Sequence, residues 1–88
     1  MPFYPIVGKN KMSPWIKGRE VHNLLNLRPG KHYLVETEEE ELFHVIFQRL
    51  TDRFLYGREY NRRSGETRAV LVNIWDIAHV YELRLSRR

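Results

Sequence analysis

The sequence predicts a mainly β domain: one α-helix near the N-terminus, then five short antiparallel strands. Three observations carry this. After Lys31 the chain runs in short segments rich in Val, Ile, Phe and Tyr with period-2 patterning. Turn clusters separate those segments. Ahead of them, Ser13-Pro14 is a good helix start, with serine as N-cap and proline at the first helical position.

Each element follows in order. Residues 1–12 hold Pro2, Pro5 and Gly8 and read as an extended arm pinned by Phe3, Tyr4 and Ile6. The helix is expected over 13–27, with Trp15, Ile16, Val21, Leu24 and Leu25 on one face. Gly18 within it costs about 1 kcal/mol relative to alanine. Arg28-Pro29-Gly30 ends it. The β region is expected over 31–85. Its strands are Lys31–Thr37, Leu42–Leu50, Arg53–Tyr60, Thr67–Trp75 and His79–Leu85, with Gly57 as a bulge position. Asp76-Ile77-Ala78 reads as one 3₁₀ turn. Trp75 and Ile77 are expected to be largely buried, since they close the last strand pair.

The composition sets bounds. Eighty-eight residues make one domain. Apolar residues are 42% and eleven are aromatic, enough to order the chain. No window approaches about 18 uninterrupted apolar residues, so no membrane-spanning helix is expected. There is no cysteine, which excludes disulfides and thiolate metal sites. With no signal-peptide pattern in the first residues, a cytoplasmic protein is expected.

Charge is segregated. The net charge is +4, with eleven arginines against four lysines. Arginine's planar fork suits phosphate and stacks on aromatic rings. Residues 32–48 carry five glutamates and no Lys or Arg, whereas residues 49–68 carry six arginines and three acids.

One helix, five strands and the ending VLVNIWDIAHVYEL resemble the small barrels of the Sm-like and SH3-like superfamilies. That resemblance implies a five-stranded antiparallel barrel over residues 31–85. The glycine- and asparagine-bearing motifs with which Sm proteins bind uridines are absent, so no pocket residues carry over. A second resemblance is to small, basic ribonuclease toxins of the RelE type, which end in a strand pair with aromatic and basic residues; the segment AVLVNIWDIAHVYE here is similar to that ending. Those proteins place two helices before their sheet, where residues 31–50 here read as strands.

No catalytic constellation stands out. Ser13, Ser64 and Ser86 sit at a cap, a turn and the tail, outside any nucleophile elbow. The five glycines are scattered and form no phosphate loop. His32 and His44 could face each other across a hairpin, but a metal site needs a third ligand and Glu36 is the only obvious one. A structural role for the histidines is the plainer reading. No enzyme and no cofactor are expected.

The strongest functional signal is RLTDRFLYGREYNRRSGETR, residues 49–68. Strand alternation puts Phe54, Tyr56, Arg58 and Tyr60 on one face. Arg49, Arg53, Arg62, Arg63 and Arg68 surround them, with Lys31 nearby. Rings for base stacking beside guanidinium groups for phosphate suit RNA or single-stranded DNA. The competing reading makes Phe54 and Tyr56 core residues and the arginines an ordinary polar edge. Glu38, Glu39, Glu40 and Glu41 suggest a different class: a protein-binding adaptor or inhibitor, like the compact modulators of phage and mobile elements. The last strand, HVYELRL, reads as an edge, which suggests a homo-oligomer sharing that strand.

Overall fold

A computed structural model describes residues 14–86. The fold is mainly β, and every strand pairing in it is antiparallel. The strands are β1 (Trp15–Glu20), β2 (His32–Thr37), β3 (Leu42–Leu50), β4 (Phe54–Tyr60), β5 (Thr67–Asn73) and β6 (Ile77–Leu85). Strands β2 to β5 form a meander. The chain then passes through a 3₁₀ turn, Ile74–Asp76, and β6 returns to pair with the other side of β2. The sheet order is β1-β6-β2-β3-β4-β5, an open six-stranded sheet and not the expected five-stranded barrel, because β1 occupies the free side of β6 and β5 pairs only with β4.

The N-terminal helix is absent. Trp15–Glu20 is a strand, and the rest of the expected helix contributes only a 3₁₀ turn, Leu24–Asn26, capped by Asn23 Oδ1 accepting from Leu25 N–H. The reason is physical. The expected helical stripe is split: Val21 and Leu24 pack against the core, whereas Ile16 and Leu25 are 50% and 80% exposed. As a strand, Trp15 and Lys17 sit opposite Leu85 and Leu83, and β1 satisfies the open side of β6. The last strand is therefore internal, between β1 and β2, and cannot be the shared edge of an oligomer. The edges among the described residues are β1 and β5. The expected arm, residues 1–12, and the Ser13 cap lie outside the described residues.

The core occupies one face of the sheet. Tyr33 and Val35 from β2, Val45 and Phe47 from β3, Leu55 from β4, Val72 from β5 and Val80 from β6 pack together. Leu27 joins them, and half-buried Leu24 packs alongside. Tyr33 hydroxyl accepts from Arg28 N–H at 2.9 Å, which fixes the chain entering β2. Trp75, expected inside, is 79% exposed. The 3₁₀ turn begins two residues earlier than expected, so Trp75 sits on the turn and not in a strand. Ile77 is half-buried against the core.

Gly57 explains how tightly β3 and β4 approach. A Cβ there would lie 2.5 Å from the Ile46 carbonyl oxygen and 2.7 Å from Val45 Cγ1. The neighbouring bulge is on the partner strand, where Gln48 is the extra residue between Phe47 and Arg49.

Candidate nucleic-acid interface and histidine cluster

Cross-strand partners share a face of a sheet. The register pairs Ile46 with Arg58, Arg58 with Ala69, and Tyr56 with both Arg49 and Leu71. These residues lie on the face opposite the core, as do Phe54 and Tyr60 by alternation along β4. The shared face of Phe54, Tyr56, Arg58 and Tyr60 therefore looks away from the core, and their side chains are half-buried.

Two regions divide that face. The first centres on Tyr56. The Arg49 guanidinium lies 4.1 Å from its ring centroid, a cation–π contact. Phe54 packs edge-on to Tyr56, at 6.3 Å between centroids. Arg58 donates from Nε to Thr67 Oγ1 at 2.9 Å and from Nη2 to the Thr67 carbonyl at 3.2 Å. Arg53 is exposed in the β3–β4 turn. By register, the β3, β4 and β5 residues on this face include no carboxylate among the described residues.

The second region is a cluster of rings. Trp15 stacks on His32 at 4.1 Å, and Tyr60 approaches His44 at 4.7 Å. His32 Nδ1 and His44 Nε2 are 2.8 Å apart. Arg62 Nε donates to His44 Nδ1 at 3.1 Å. Arginine has no acceptor, so His44 Nδ1 carries no proton. His44 then holds its proton on Nε2 and donates it to His32 Nδ1. Burial, reinforced by the Arg62 charge and by His32, pushes the His44 pKa down to about 3. Burial also lowers that of His32.

Tyr60 and Arg62 are thus drawn into this cluster, beside the Tyr56 region. The remaining expected site residues are spread out. Arg63 is exposed in the turn before β5, where its N–H donates to Asn61 Oδ1. Arg68 pairs with Glu59 at 3.2 Å. Glu59 lies opposite the core residue Val45, so this ion pair belongs to the other face. Lys31 is exposed, and its carbonyl accepts from Phe47 N–H, which also places it off the aromatic face.

The acidic run is a structured turn. Glu41 N–H donates to Thr37 Oγ1, Glu40 N–H to the Thr37 carbonyl, and Glu38 N–H to the Asp76 carbonyl. Glu40 takes the left-handed conformation, with φ 66°. Glu36 lies opposite His79, not with the two clustered histidines. No group of three His, Asp or Glu able to hold a metal occurs among the described residues.

Sequence reading missed Trp15 as a member of the histidine cluster. The alternation of Trp15 and Lys17 was the available signal, and the Ser13-Pro14 start masked it. A third group at the β1–β6 end was also missed. Glu20 Oε2 pairs with His79 Nδ1 at 2.8 Å, and Lys17 Nζ lies 4.2 Å from the Tyr81 ring centroid. No helix among the described residues is long and apolar enough to cross a membrane. No family model, curated protein or solved structure matches the chain.

Proposed function

We propose that this chain is a non-enzymatic module that binds RNA or single-stranded DNA through the outer face of β4. One observation carries the reading. Tyr56 and Phe54 share a face with Arg49 and Arg58, and the β3–β5 part of that face has no carboxylate. Rings stack on bases whatever their sequence, while guanidinium groups meet phosphates. Arg53 and Arg63 extend the positive charge to the two ends of β4. The order of β2 to β6, a meander whose last strand follows a 3₁₀ turn and returns to the first, is similar to that of SH3-like and Sm-like barrels. β1 is an addition to that pattern. The lack of cysteine suits a reducing cytoplasm.

Replacing Tyr56 with alanine tests the stacking half of this reading. Loss of one stacked base costs about 1–3 kcal/mol, a roughly 5- to 150-fold weaker Kd. Fluorescence anisotropy with a labelled single strand reads that change. Equal affinity of Tyr56→Ala and the parent protein would remove the ring from the interface.

A further inference from the structure

Edge strand β5 borders a groove whose charge is opposite to that of the aromatic face. The groove, about 230 Å³, is lined by Phe43 and Val70, which pack on the core, and by Glu38, Glu39, Glu41 and Asp76, with no Lys or Arg in its lining. The outer edge of β5 pairs with no strand among the described residues. Its backbone polarity follows from the ladder to β4. Asn61 N–H donates to the Glu66 carbonyl, and Ile74 N–H donates to the Arg53 carbonyl. Alternation between these ends aims the N–H and C=O groups of Arg68, Val70 and Val72 at β4. Those of Ala69 and Leu71 point outward. The Thr67 carbonyl is already taken by Arg58 Nη2.

We propose that β5 accepts one further strand from a partner protein, an extended segment in which Lys or Arg alternates with apolar residues. Main-chain bonds to Ala69 and Leu71 set its register, as in other cases of strand addition. Its inward side chains enter the groove. A Lys or Arg there lays its stem over Phe43 and Val70 and brings its charge to Glu38, Glu39 and Asp76. Its outward side chains lie beside Leu71, which is 51% exposed. Those positions favour apolar groups, because a cation there meets Arg58 and Arg49. A second copy of β5 is a poorer occupant, since Arg68 is its one cation. The proposal does not depend on nucleic-acid binding by the β4 face.

The test uses a capped peptide of alternating Lys and Val, with two controls. One is the same peptide N-methylated at alternate residues. The other replaces Lys with Glu. Titration of the full chain is followed by NMR, including amide hydrogen exchange. Exchange at Ala69 and Leu71 should slow at least tenfold on saturation with the Lys peptide. N-methylation on the pairing edge should weaken binding at least tenfold, and the Glu peptide should not bind. The variant Glu38→Gln/Glu39→Gln/Asp76→Asn should also lose at least tenfold, with an unchanged NMR fold signature. Equal binding of the N-methylated peptide, or no protection at Ala69 and Leu71, overturns the proposal. So does a peptide-free dimer in which those two amides are already protected.

Discussion

His44 donates its Nε2–H to His32 Nδ1 across 2.8 Å while its Nδ1 accepts from Arg62. The two bonds coexist only when both rings are neutral. A proton on Nδ1 of either ring removes an acceptor and places a charge beside Arg62 or in the buried cluster. Both rings therefore resist protonation in the fold.

The pH dependence follows with a definite sign. A histidine whose pKa is lower folded than unfolded binds fewer protons in the native state, so stability rises with pH. The His44 contribution is complete above the unfolded value near 6.5. It is lost progressively as pH falls from there toward about 3. The melting temperature should fall between pH 7 and pH 4.5, and His44→Phe should flatten that fall. Parallel pH profiles for the two proteins would show that the slope comes from other groups.

The Glu20–His79 pair acts with the opposite sign. The hydrogen bond to Glu20, aided by that carboxylate's charge, raises the His79 pKa. Its contribution is present below the unfolded value and lost as pH rises through the folded one. Both groups are solvent-facing, so the effect on stability is small. NMR titration should show the His79 midpoint drop in Glu20→Gln. An unchanged midpoint would mean that the pair does not persist in solution.

Gly57→Ala should destabilise the domain strongly. The new methyl meets the backbone of Ile46 and the side chain of Val45, so strands β3 and β4 must separate locally. Overpacking of this kind costs about 1–3 kcal/mol. For a domain of this size that is a drop of roughly 5–20 °C in Tm. Thermal denaturation followed by circular dichroism checks it, and a loss under about 2 °C would contradict the close approach.

Leu55 and Trp75 make a contrasting pair. Leu55 is 1% exposed at the centre of the core, and Leu55→Ala should cost about 2–5 kcal/mol. Trp75 is 79% exposed, so Trp75→Ala should stay within about 0.5 kcal/mol. Urea titration of both variants tests the order. A large loss at Trp75 would place that ring against a surface.

The β2–β3 hairpin and the face of β4 were legible because period-2 patterning reports the two sides of a strand directly. Leu42–Leu50 has the expected bounds, and Phe54, Tyr56, Arg58 and Tyr60 share a face as expected. β1 was not legible. Ser13-Pro14 is a local helix signal, whereas the strand depends on a partner 70 residues away, since Trp15 pairs with Leu85. The same long-range pairing hid the internal position of β6. Trp75 was expected to close the last strand pair, but the 3₁₀ turn begins two residues earlier and leaves its ring exposed. Of the candidate interface, the arginine and tyrosine content was readable. The capture of Arg62 and Tyr60 by His44 depends on the twist and register of three strands.

The salt dependence of single-strand binding tests the central claim most directly. Affinity for RNA and single-stranded DNA is measured at several salt concentrations, for the parent chain and for Arg49→Ala/Arg58→Ala/Arg63→Ala. Arg62 is left in place because it holds His44. If the β4 face meets phosphates, log Kd changes linearly with log salt, and each contact contributes a slope of about 0.7. The triple variant should then bind more weakly to every sequence, with a slope smaller by about 2, while keeping the parent's folded circular-dichroism spectrum. No binding by the parent chain at low salt, or equal affinity and slope in the triple variant, would contradict a nucleic-acid interface on this face.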